Sequence, residues 1–75
     1  MLAFETFAVF DWYDVEDGRV AVVHAGVDYD PQPLAGQNVT LNGVPYFVRD
    51  VVLHAALPDG VDPVGDGFGL LVEQR

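Results

Sequence analysis

The chain has 75 residues, 51% of them hydrophobic, and twelve acids against three Lys or Arg give a net charge of −9 with no cysteine. That length builds one small domain whose core narrowly outweighs chain entropy without disulfide help, so association with a partner protein or a second copy is expected. The acidity argues against direct binding to nucleic acid or anionic membrane, and the missing cysteine removes thiolate and redox chemistry.

The start, MLAFETFAVF, has no basic n-region and is interrupted by Glu5. It reads as neither a signal peptide nor a transmembrane span, and a cytoplasmic or virion-associated protein is expected. Residues 2–15 alternate loosely between apolar and polar and are rich in Phe, Val, Trp and Tyr, which favours a strand. If Val9, Tyr13 and Val15 face inward, Phe10 and Trp12 share the other face with Asp14 beside them. Asp17-Gly18 is then a hairpin signal. Taken as the loop, it sets Glu16 opposite Arg19, Val15 opposite Val20, Tyr13 opposite Val22 and Asp11 opposite His24.

The next strand, Arg19 to about Ala25, is apolar on both faces and suits a central position. Residues 27–36 form a loop, because Pro31, Pro33 and Gly36 forbid a regular ladder, with Leu34 as a plug beneath it. Asn42-Gly43 lies between two alternating runs and is the strongest hairpin signal in the chain, since both residues tolerate the positive φ of a type I′ turn. It pairs Leu41 with Val44, Thr40 with Pro45 and Val39 with Tyr46. Val39, Leu41, Val44, Tyr46 and Val48 therefore share a core face. The run continues to Leu57, too long for one flat strand, and a β-bulge near Arg49-Asp50 would reconcile it with a small fold. A helix over 50–57 competes, but the β-branched content opposes it. Residues 58–67 are a turn-rich loop, and Phe68 to Glu73 is a last strand with Phe68, Leu70 and Val72 on one face. Five to seven short strands at this spacing predict a single all-β domain over residues 1–75, a small closed or partly open antiparallel β-barrel.

Catalytic chemistry finds little to use. The chain has no serine and no lysine, and Thr6 and Thr40 are its only aliphatic hydroxyls. Gly65-Asp66-Gly67-Phe68-Gly69 lacks the lysine and following helix of a phosphate cradle. Carboxylates such as Asp11, Asp14 and Glu16 have no deep cleft to shift their pKa values in so small a domain. The chain is read as a non-enzyme with no cofactor. Metal-ligand candidates are His24, His54 and Asp11 or Asp50, but their spacing matches no ligand motif and solvated strand histidines account for them. The calcium candidates, Asp28-x-Asp30 and the 59–66 loop, lack the EF-hand pattern and fit ordinary turn chemistry. The surface aromatics say more. An exposed Phe10 and Trp12 rimmed by Asp14 would make a binding patch, unless closure of the barrel buries that face. Arg49 is either a cation that faces a partner or the counter-charge to Asp50 and other carboxylates.

From Gly18 onward the chain resembles the β-barrel that forms the second domain of translational GTPases such as elongation factor Tu. The likeness is carried by Gly18-Arg19-Val20-Ala21-Val22-Val23, by Leu34-Ala35-Gly36-Gln37-Asn38-Val39-Thr40-Leu41 with Val48-Arg49-Asp50-Val51, and by Gly65-Asp66-Gly67-Phe68-Gly69-Leu70-Leu71-Val72. It implies a barrel rather than a sandwich. The sequence contains no GTP-binding domain and lacks the basic residues with which such barrels meet RNA, so neither a role in translation nor any functional residue is carried over. The function expected is a non-catalytic protein-interaction or assembly module, such as a small subunit of a virion or other complex. The alternatives are an acidic inhibitor that mimics nucleic acid, with Asp11, Asp14, Glu16, Asp17, Asp28 and Asp30 along one face, and a metal-binding β domain.

Overall fold

The computed structural model of the chain describes residues 5–24, 29–58 and 67–74. Six strands lie within them: β1 (Glu5–Phe7), β2 (Val9–Val15), β3 (Gly18–Val23), β4 (Asn38–Leu41), β5 (Val44–Val52) and β6 (Phe68–Gln74). They form one sheet in the order β1-β4-β5-β6-β3-β2. The protein is all-β as expected, with one departure: β1 pairs with β4 in parallel, so the sheet is mixed. The two edge strands, β1 and β2, are joined by Ala8 alone. So short a link between opposite edges forces the sheet to curl into a half-barrel.

The β4–β5 hairpin has the register its turn demands, with Leu41 opposite Val44, Thr40 opposite Pro45 and Val39 opposite Tyr46. Asn42 and Gly43 both adopt positive φ, +51° and +84°. Asn42 also closes the curl. Its backbone N–H donates to the Phe7 carbonyl at 3.1 Å, and its side-chain oxygen accepts the Val9 N–H at 2.9 Å. One turn residue thus ties the hairpin to both sides of the β1–β2 junction.

The β2–β3 hairpin corrects the expected register by two residues. Val15 faces Gly18, Asp14 faces Arg19, Tyr13 faces Val20 and Asp11 faces Val22, so the loop is Glu16-Asp17. Among the described residues only Asn42 departs from negative φ without being glycine, so Glu16 and Asp17 both stay negative while Gly18 takes φ +148°. An Asp17-Gly18 loop would force the aspartate into the left-handed region. Placing the loop one residue earlier confines the unusual dihedral to the glycine.

Two β-bulges bend the sheet. One lies between Val48 and Asp50, where the length of the strand requires it. The other, between Val9 and Asp11, makes Phe10 the extra residue of β2. β5 ends at Val52, short of the expected Leu57, and a 3₁₀ turn at His54–Ala56 follows.

The inner face gathers Phe7, Ala21, Val23, Leu34, Val39, Leu41, Val48, Phe68, Leu70 and Val72 into the core. Leu34 plugs it from a 3₁₀ turn at Gln32–Leu34, held to β5 by the Gly36 N–H on the Val48 carbonyl at 2.8 Å. The outer face is also apolar along β3, where Val20 and Val22 are buried. There Gly69 allows close approach: a Cβ would lie 2.7 Å from Val20 Cγ1 and 3.1 Å from both Leu57 Cδ2 and Val52 Cβ. The central position expected for β3 follows from these two apolar faces, and β6 and β2 flank it.

Candidate functional site

The candidate surface lies on β2, an edge strand of the sheet. Before the bulge, Val9 packs against the core. A strand has a period of two, so one extra residue reverses the faces that follow. Trp12 consequently also packs against the core, where its ring meets Tyr46 with centroids 5.6 Å apart. The expected shared patch of Phe10 and Trp12 is therefore divided. Phe10 is thrown out at the bulge with 55% of its surface exposed, and its ring stands edge-on to His24 at 5.2 Å.

Arg19 covers the Trp12 ring, its guanidinium carbon 4.5 Å from the centroid, and its Nε lies 3.4 Å from Asp14 Oδ1. The cation–π contact adds to packing, whereas the ion pair is too exposed to contribute much. Arg49 is tied to the chain itself. Its Nη1 donates to the Asp17 carbonyl at 3.0 Å and its Nε lies 3.8 Å from Glu73 Oε1, so it braces the β2–β3 turn against β6. Both arginines of the described residues thus face carboxylates of their own chain.

Asp11 does not meet His24. It sits opposite Val22, and its Oδ1 accepts the Trp12 N–H at 2.8 Å. His54 lies on the second 3₁₀ turn. Among the described residues no group of three or more His, Cys, Asp or Glu converges to hold a metal ion. Asp28 and the 59–66 loop lie outside the described residues, and Asp30 Oδ1 accepts the Gln32 N–H at 3.1 Å, as turn chemistry requires.

Of the acids considered for nucleic-acid mimicry, Asp14, Glu16 and Asp17 cluster at the β2–β3 turn. Asp30 follows Tyr29, whose ring packs on Phe7 and Phe68 beyond the other end of β3. Burial raises the Tyr29 pKa above its ordinary value, and the charges of Glu5 and Asp30 add to the rise. Tyr13 is raised by burial. No described helix is long and apolar enough to cross a membrane.

Neither family models, curated proteins nor solved structures gave a match to the chain.

Two features of the surface escaped the sequence. The Phe10 bulge has no local signal, because residues 9–15 read as one alternating strand. The carboxamide bridge of Asn42 was hidden because Asn-Gly is already explained by its turn.

Proposed function

We propose that the chain is a non-catalytic protein-interaction or assembly module, a small subunit of a larger complex such as a virion, and that Phe10 anchors its contact surface. The observation that carries this reading is the bulge that holds a phenylalanine ring more than half exposed on an edge strand. Aromatic side chains dominate interface hot spots, and a bulge re-aims a side chain at the expense of ladder pairing. The carboxylates around it support the same reading, because Asp11 serves a backbone N–H and Asp14 faces Arg19, both structural uses. The likeness to translational-GTPase barrels enters here as a likeness of scaffold alone.

Phe10→Ala and Trp12→Ala separate contact from folding. Crosslinking and mass spectrometry identify the partner in the source organism, and titration with the purified partner then measures affinity. Phe10→Ala is expected to leave the melting temperature within a few degrees and to weaken binding at least about tenfold, the loss of an aromatic hot spot. Trp12→Ala is expected to lower the melting temperature through lost core packing. Unchanged affinity in Phe10→Ala would refute the assignment.

A further inference from the structure

The backbone of β2 carries a second kind of information. Val15 and Gly18 close the loop to β3, so the alternation of an antiparallel ladder assigns Val15, Tyr13 and Asp11 to bonding with β3. The N–H and C=O groups of Trp12 and Asp14 point the other way, to the side on which no described strand follows. An independent observation agrees, since the Trp12 N–H is met by the Asp11 carboxylate rather than by a strand. The Asp14 N–H and the carbonyls of Trp12 and Asp14 are thus oriented to receive a further strand.

We infer, resting on the interaction reading above, that β2 accepts one added strand, an extended lysine- or arginine-bearing segment of a partner protein. Addition of a strand to an open edge uses main-chain hydrogen bonds for affinity and side chains for specificity. Charge decides the occupant. Asp14 is 85% exposed on this strand, Asp11 precedes it, and Glu16 and Asp17 follow in the loop. The whole chain carries −9, and Arg19 and Arg49 face its own carboxylates. A second copy would bring another −9 and lay an equally acidic edge alongside, which repulsion between like charges opposes. A basic segment brings the opposite sign to this acidic edge. The other edge, β1, is three residues long and offers too short a template.

The probe is an end-capped heptapeptide of alternating lysine and valine, titrated into isotope-labelled protein and followed by NMR and amide hydrogen exchange. Two control peptides isolate the terms. One replaces lysine by glutamate, and the other carries N-methyl groups on alternate residues, which keeps the charge and removes strand hydrogen bonds. Two variants isolate the edge. Asp14→Ala keeps the outward N–H, whereas Asp14→Pro deletes it at a position where proline leaves the β3 ladder intact.

The lysine–valine peptide is expected to bind, to slow exchange of the Asp14 amide, and to weaken about tenfold between low salt and about 0.5 M salt. The glutamate and N-methyl peptides are expected not to bind. Asp14→Ala should hold affinity within about threefold, and Asp14→Pro should lose at least about tenfold. Should Asp14→Pro fail to fold, the N-methyl control and the Asp14 exchange rate in the native protein decide alone.

No binding of the lysine–valine peptide, or equal binding of the N-methyl peptide, overturns the inference. A concentration-dependent dimer with the Asp14 amide protected would also overturn it, by assigning the edge to a second copy. The two readings fail separately. A partner held through Phe10 that leaves the Asp14 amide unprotected keeps the interaction role and removes strand addition. Peptide binding with a protected Asp14 amide, together with a partner indifferent to Phe10→Ala, does the reverse.

Discussion

Asn42→Gly isolates the bond that closes the curl. Asn42 has φ +51°, which glycine adopts without strain, so the type I′ turn survives the substitution. What is lost is the side-chain oxygen that accepts the Val9 N–H at 2.9 Å, while the backbone bond from Asn42 to Phe7 remains. The site is exposed, so water takes over the freed N–H and the cost sits within the usual net value of about 0.5–1.5 kcal/mol. For a domain of this size that lowers the melting temperature by roughly 2–12 °C. Asn42→Asp keeps an acceptor and should fall less. Asn42→Ala loses the acceptor and also the local side-chain hydrogen bonding that lets asparagine tolerate the left-handed region, adding about 1 kcal/mol or more. Urea unfolding read by the single tryptophan, Trp12, gives the order, and hydrogen exchange gives the place: the Val9 amide should lose protection in Asn42→Gly while β3 amides keep theirs. Equal stability of Asn42→Gly and the native protein, with Val9 exchange unchanged, would refute the closing role.

Gly69→Ala places a methyl group 2.7 Å from Val20 Cγ1 and 3.1 Å from Val52 Cβ, and a destabilisation of about 1–3 kcal/mol is expected from overpacking. Denaturant unfolding of the double variant with Val20→Ala should recover part of that loss, and no recovery would place the clash elsewhere. Arg49→Ala should cost about 0.5–1 kcal/mol, because both contacts are exposed. Arg49→Lys should restore little of it, since one ammonium cannot reproduce the two-nitrogen reach, and thermal melts of the two variants test this. The raised pKa values of Tyr13 and Tyr29 mean that the folded state holds these protons more tightly than the unfolded chain does. Their contribution is fully present below the ordinary tyrosine pKa of about 10 and is lost as pH rises through the folded values. Alkaline unfolding should therefore begin at higher pH in Tyr29→Phe than in the native protein, and coincident curves would contradict the argument.

Where the sequence was informative, a local rule and the tertiary fold asked for the same thing. Asn42-Gly43 could be placed because two positive φ values and two alternating runs agree on one register. The bulge at Arg49 was legible from strand length alone. Asp17-Gly18 carried a weaker message, because a single glycine satisfies more than one loop placement. The two-residue slip preserved the parity of faces yet changed the partners, so that Arg19 meets Asp14 instead of Glu16. The bulge at Phe10 left no mark in the sequence, and it mattered most, since one residue decides which face Trp12 occupies. The pairing of β1 with β4 was equally hidden. It arises because Ala8 must join two opposite edges, a demand of the closed curl rather than of either segment.

The two bulges share one construction, and the contrast between them is what singles out Phe10. In Phe10-Asp11-Trp12 and Arg49-Asp50-Val51 the register shifts, and the aspartate Oδ1 accepts the next residue's N–H at 2.8 Å. In each, a short carboxylate one residue earlier satisfies that backbone donor. In both cases the residue before the aspartate is a large side chain turned out of the sheet. At β5 that side chain, Arg49, is used within the fold, bracing the β2–β3 turn and facing Glu73. At β2 the same construction turns out Phe10, whose ring contact is the exposed His24. Bulges interrupt ladder pairing, and the first recovers that loss through internal contacts. The second leaves its aromatic ring facing solvent on an edge strand, and a partner is the contact that would make the interruption favourable.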